Sequence, residues 1–221
     1  MFFICDLVKY PNIDNASKSG SIPSSIEDKE IKVIEIDADE DFDGFSGWAT
    51  GNIPVIVINS KFPVERKRFT ALHELGHLLL SFNSNLVEKE IERLCHRFAG
   101  AMLMPEETFL LELGAQRNKI SLSELIAIKE TYGISIQAIM ARAKDLGIIS
   151  EERYINFRRW VNEDPNRKKE IDLGKFQGRE SSTRFKQLLY RATAEDLVSL
   201  NKAASLANMK LADFRKEFVL L

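Results

Sequence analysis

Arg68-Phe69-Thr70-Ala71-Leu72-His73-Glu74-Leu75-Gly76-His77-Leu78-Leu79-Leu80 reads as a buried helix that carries the pattern H-E-x-x-H. At 3.6 residues per turn, His73 and His77 share a face about one turn apart, so both imidazoles can close on one divalent ion. Zinc suits that geometry, because it takes nitrogen donors at about 2.0 to 2.1 Å and keeps an open position at catalytic sites. Glu74 follows His73 directly and is offset around the helix, so it is better placed to take a proton from an activated water than to bind the ion. The competing reading is a core helix with two hydrogen-bonded histidines. Two of the three histidines in the chain stand here, and an unpaired carboxylate in an apolar run would be costly; both facts favour the metal.

Upstream, residues 31–36, 45–50 and 54–59 are β-branched or partly alternating and predict three short strands in a small sheet. The acidic run 37–44 between the first two invites comparison with a calcium loop. That pattern needs a distal Glu in fixed register, which residues 45–50 lack, so an acidic solvated turn is preferred. Residues 59–63 form a turn into a helix from about Val64. Residues 10–28 are rich in Asn, Ser, Gly and Pro, and 1–28 is expected to be a flexible lead-in.

Downstream, a second helix begins near Val87, with Ile91, Leu94, Cys95, Phe98, Ala99 and Met102 as its apolar stripe, and Met104-Pro105 stops it. Glu88, Glu92 and His96 run along the edge of that stripe. An active zinc site needs a third protein ligand, and any of the three could face the first helix; Glu92 is the choice. Cys95 belongs to the stripe and reads as core rather than as a thiolate ligand. His96 can be read as a partner of a ligand, a substitute ligand or a surface histidine.

The compound pattern R-F-T-x-x-H-E-L-G-H-L-L-L, at 68–80, followed by E-x-x-x-x-x-F-A-x-x-x-L-M-P, at 92–105, resembles the ImmA/IrrE family of bacterial and phage metallopeptidases. The likeness extends loosely over 31–150. It implies a zincin-like α+β metallopeptidase domain in which His73, His77 and Glu92 bind Zn2+ and Glu74 is the general base. It also implies a cytoplasmic enzyme of narrow specificity that cuts a regulatory protein, often a helix-turn-helix repressor. The family usually has Ala-Asn where this chain has Cys95-His96, and commonly Glu or Gln at Leu94. Those departures leave the ligands standing and alter their surroundings.

Composition sets the outer limits. The chain has 221 residues, of which 44% are hydrophobic, enough for a sizeable core, and a formal net charge of -2 that does not support a generally nucleic-acid-binding surface. Cys5 and Cys95 make no disulfide framework and no C-x-x-C site, consistent with a reducing cytoplasm. Asp6 and Lys9 interrupt the apolar opening too early for a signal peptide, and no later run is expected to span a membrane.

The expected organisation is a mainly helical metallopeptidase domain with a helical hairpin over 29–150, a helix and polar linker over 151–182, and a C-terminal helical segment over 183–221. Within the last, residues 201–214 resemble a helix-turn-helix, with Ala204 at the packing position and Asn208 at the turn; a docking or dimerising role is preferred to DNA binding. Tyr132, Arg142 and Tyr154 are candidates by type for stabilising an oxyanion, although packing or surface roles are preferred for each. The expected function is therefore a zinc endopeptidase acting on a protein substrate, possible ones being a repressor or an antitoxin. The alternatives are a regulatory binding module with structural zinc and a peptidase-like component of a toxin-antitoxin pair.

Overall fold

The computed structural model describes residues 21–178 and 184–218. Most of the expected lead-in therefore lies outside the described residues. Residues 21–178 belong to one compact unit and 184–218 to another.

The first unit is α+β: one small sheet and many helices. Strands β1 (Lys32–Ile36), β2 (Gly44–Ala49) and β3 (Ile53–Asn59) lie in the order β1-β3-β2. β1 runs parallel to β3, with Val33 opposite Ile56, and β2 runs antiparallel to it, with Ser46 also opposite Ile56. Alternation places Val33, Ile56 and Ile58 in the core, so one face of the sheet is available to a helix. The loop before β2 is held from below by Asn59, whose fully buried amide donates to the carbonyl oxygens of Ala38, Asp39 and Phe42 at 2.9 to 3.2 Å.

The folded body starts earlier than residue 29. Helix α1 (Ile22–Glu27) is capped by the Ser21 hydroxyl and buries Ile22 and Ile26. Its single apolar turn sits among polar residues, too short to register as a period in the sequence. Helix α2 (Val64–Leu79) packs on β2 and β3, and α3 (Glu88–Leu103) packs on α2. Their seam is tight at Gly76, where a Cβ would stand 3.2 Å from Phe98 Cδ1 and 3.4 Å from Cys95 Cα. The residues fully buried on α3 are accordingly the small or central Cys95, Ala99, Gly100 and Leu103, while Ile91, Leu94, Phe98 and Met102 flank them half-buried.

After α4 (Glu106–Leu113), the hairpin of α5 (Leu122–Tyr132) and α6 (Ile136–Asp145) has a Ser121–Glu124 capping box and a left-handed Gly133 at its turn. Arg68, from the same run as the histidines, is completely buried, and its guanidinium reaches the Tyr132 carbonyl oxygen at 3.5 Å. A Cβ on Gly133 would collide with it. The hairpin is thus anchored to the histidine helix.

Helices α7 (Glu151–Asn162) and α8 (Pro165–Lys168) follow. The polar stretch beyond them is not merely a solvated linker. Glu170 accepts the N–H groups of Ile136 and Gln137 at 3.1 and 3.0 Å, which caps α6 from a distance in sequence, and pairs with buried Lys129 at 3.0 Å. Lys129 also faces Glu65 of α2 at 3.9 Å, and Glu65 accepts the Phe176 N–H at 2.9 Å. A polar sequence does core work here because its carboxylate meets a lysine and a helix N-terminus. Lys129→Met would leave two buried carboxylates without their common cation. The expected loss is about 3 kcal/mol of stability, read as a lower urea midpoint with an unchanged slope.

The second unit has helices α9 (Arg184–Ala194), α10 (Leu200–Leu206) and α11 (Leu211–Glu217) around Leu189, Ala203, Ala204 and Phe214. The turn between α10 and α11 contains Asn208 at φ 53°, a left-handed conformation that Asn tolerates. Among the described residues, no helix is long and apolar enough to cross a membrane.

Candidate metal centre

Three side chains from two helices meet at one point. His73 and His77 lie a turn apart on α2, and their Nε2 atoms stand 3.1 Å from each other. Glu92 reaches across from α3, placing Oε2 at 3.1 Å from His73 Nε2 and Oε1 at 3.2 Å from His77 Nε2. Among the described residues, this is the one group of three such donors close enough to hold an ion.

The donors fit a metal better than they fit one another. A tetrahedral ion about 2.0 Å from each donor separates the donors by about 3.3 Å, close to the edges observed. Without an ion, protonating both nitrogens to satisfy Glu92 would oppose two N–H groups. Burial, then the neighbouring His96, lowers the His73 pKa to about 4, so this imidazole is neutral with a lone pair to offer.

Glu74 projects from α2 into the same cleft, of about 620 Å³. It is outside the donor set and accepts a hydrogen bond from Ser46 Oγ at 2.7 Å on Oε2. Burial raises its pKa above the ordinary carboxylate value, and the Ser46 hydrogen bond partly offsets that rise. β2 passes close enough to present Ser46 because residue 44 is glycine: a Cβ there would lie 2.6 Å from Thr70 Cγ2 and 3.4 Å from Glu74 Cγ. Neither contact has a signal in the sequence, since 28 residues separate Ser46 from Glu74.

The other candidates stand apart from the donors. Glu88 is exposed and outside the cluster. Cys95 is buried in the seam, its thiol pushed up to about 12 by burial and then by the charge of Glu92, so it stays protonated. His96 packs its ring 4.4 Å from that of His73, and its Nδ1 lies 2.7 Å from the Glu92 carbonyl oxygen. It buttresses a candidate ligand. That contact matters because His73 Nδ1 is buried with no hydrogen-bond partner among the described residues, where a ligating imidazole ordinarily donates.

None of the oxyanion candidates lines this cleft. The Tyr132 hydroxyl donates to Glu112 at 2.6 Å, Arg142 donates to the Met104 carbonyl oxygen at 2.7 Å, and Tyr154 lies under Lys144.

The radiation response metalloprotease IrrE of Deinococcus radiodurans is 38% identical over 76 residues, covering 27% of this chain and 23% of that protein. The protein of the same name from Deinococcus deserti is 40% identical over 65 residues, covering 24% of this chain and 23% of its own length. The chain thus spans less than a quarter of the length of these relatives. Residues 26–144 match the peptidase family described as the IrrE N-terminal-like domain. That match takes in the sheet and both helices of the cleft, more than half of the chain, and the chain accordingly belongs to the ImmA/IrrE family of metallopeptidases.

Proposed function

We propose that the protein is a zinc-dependent endopeptidase that cleaves a specific intracellular regulatory protein, such as a helix-turn-helix repressor. The observation that carries the zinc reading is the convergence of His73, His77 and Glu92 beside a buried carboxylate that does not belong to the donor set. The preference for a regulatory substrate comes from the family resemblance.

His73, His77 and Glu92 would hold the zinc. When bound, zinc supplies Lewis acidity, which acidifies water and polarises a peptide carbonyl. Glu74 takes the proton of the attacking water and returns it to the departing amine. Ser46 orients the Glu74 carboxylate through Oε2, leaving the other oxygen for that transfer. β2 is an edge strand beside the cleft, and Gly44, Phe45 and Ser46 line it. An extended substrate can add to that edge through main-chain hydrogen bonds, with Phe45 and Trp48, 57% and 63% exposed, at hand for its side chains.

A purely structural zinc site fits less well. Such sites are closed by four protein ligands. Here three donors lie together among the described residues, on the wall of an open cleft.

The substrate reading is tested by comparing protein fragments in cells producing the wild type or Glu74→Gln. Fragments of a transcriptional regulator present only with the wild type would support it, and identical fragment profiles would refute it. Ser46→Ala tests the orientation of the base. Losing a donor to the carboxylate raises the Glu74 pKa further, so the acid limb of the kcat/KM profile is expected to move to higher pH. The maximum should fall about tenfold while zinc content is unchanged.

A further inference from the structure

The cleft does not end at Glu92. A wider groove of about 2170 Å³ shares Asp43, Phe69, Thr70, Glu92 and His96 with it and continues between α3, α6, α7 and the stretch after α8. The two halves differ in charge. Among the described residues, no lysine or arginine lines the metal cleft, where Asp41 and Glu74 stand beside the shared Asp43 and Glu92. The groove instead presents Lys89 and Arg93 on α3, Arg158 on α7, and Lys168 and Lys175 beyond, all exposed and none in an ion pair among the described residues. Lys61, Arg66 and Lys169 also line it, but Asp37, Asp43 and Glu40 engage them.

We propose that this groove binds an acidic segment of the substrate polypeptide on one side of the bond to be cut, so that recognition is asymmetric about the metal centre. The proposal rests on the peptidase reading above. Its geometry is that of an extended chain. Lys89 and Arg93 lie four residues apart on one ridge of α3, about 6 Å along the axis, and alternate residues of an extended peptide are spaced about 6.7 Å. Acidic residues at every second position therefore meet successive cations. Arg158 of α7 lines the same groove.

The competing occupant, nucleic acid, is disfavoured by the carboxylates of Glu90, Glu130 and Asp172 in the same groove. A duplex carries a charge about every 1.7 Å of its axis and cannot step around them, whereas a peptide can place its few acids opposite the cations.

The test uses fluorescein-labelled dodecapeptides of alternating Glu and Ser or alternating Lys and Ser, and a labelled 12-base-pair DNA, each titrated with the full-length zinc-loaded protein. The Glu–Ser peptide is expected to bind at least tenfold more tightly than the Lys–Ser peptide, and to weaken as salt rises. Lys89→Glu/Arg158→Glu should cut that affinity at least tenfold, and Lys89→Arg/Arg158→Lys should retain it. Equal binding by the charge-reversed protein would overturn the proposal, as would tighter binding of DNA.

Digestion of a random peptide mixture supplies the second readout. Acidic residues should be enriched on one side of the cuts with the wild type and not with the charge-reversed protein, which still cuts neutral peptides. Symmetric enrichment, or none, would overturn the proposal. A mixture left wholly uncut would count against the peptidase reading, and the binding titrations would then decide the groove alone.

Discussion

Glu74→Gln is expected to lower kcat/KM for peptide hydrolysis by about 10²- to 10⁴-fold while leaving one zinc per chain. The carboxylate is outside the donor set, so its removal takes nothing from the metal. The amide is nearly isosteric and its oxygen can still accept from Ser46 Oγ, so the cleft keeps its shape. What is lost is a group that can take a proton from water and release it to an amine. The loss should fall mainly on kcat, because a general base at this position would act in proton transfer rather than in binding the substrate.

Steady-state kinetics on a cleaved peptide, together with metal analysis of the same preparation, check this prediction. A variant within tenfold of the wild type would remove Glu74 from its role as base. A variant that loses zinc as well would make Glu74 part of the architecture of the site instead. The wild-type kcat/KM profile should carry its own signature, an acid limb set by protonation of the base, and Glu74→Gln should lack it.

The parts of this site that were legible in the sequence are those whose geometry is local. His73 and His77 share a helical face by spacing alone, and the strands at 32–36 and 53–59 declared themselves through β-branched residues. Glu92 is an intermediate case. Helical periodicity put it on the edge of the stripe with Glu88 and His96, and the family resemblance singled it out; the structure sets its carboxylate 3.1 and 3.2 Å from the two imidazole nitrogens.

The long-range partners were not legible. Ser46 meets Glu74, Glu170 caps α6, and buried Arg68 reaches the Tyr132 carbonyl across 64 residues, and none of these pairs leaves a periodic trace. The same limit explains the stretch beyond residue 162. Its composition is that of a solvated linker, and only the position of Lys129 and the N-terminus of α6 give Glu170 a buried role. Burial on α3 shows a subtler form. Apolar spacing marks a stripe but not its centre line, which depends on how closely the neighbouring helix approaches, and Gly76 sets that distance.

Glu92→Ala is expected to reduce zinc affinity by more than 100-fold and to abolish hydrolysis, with the fold intact. Changing a group that merely supports a ligand costs about 10- to 100-fold in metal affinity, and removing a ligand costs more. Nothing nearby should replace it: Cys95 is held protonated in the seam, and His96 is committed to the Glu92 carbonyl oxygen and the His73 ring. Alanine favours the helix and the Glu92 side chain is 43% exposed, so folding should survive.

Competition against a chelator of known affinity measures the loss directly. Thermal denaturation measures it a second way, because a ligand that binds the native state raises the midpoint in proportion to the logarithm of its concentration over Kd. Zinc at a fixed low concentration should raise the midpoint of the wild type and of Glu88→Ala alike, and leave that of Glu92→Ala where it stands in chelator. Full zinc retention by Glu92→Ala would show that the carboxylate is not a ligand, and loss of zinc by Glu88→Ala would move the third ligand a turn back along α3.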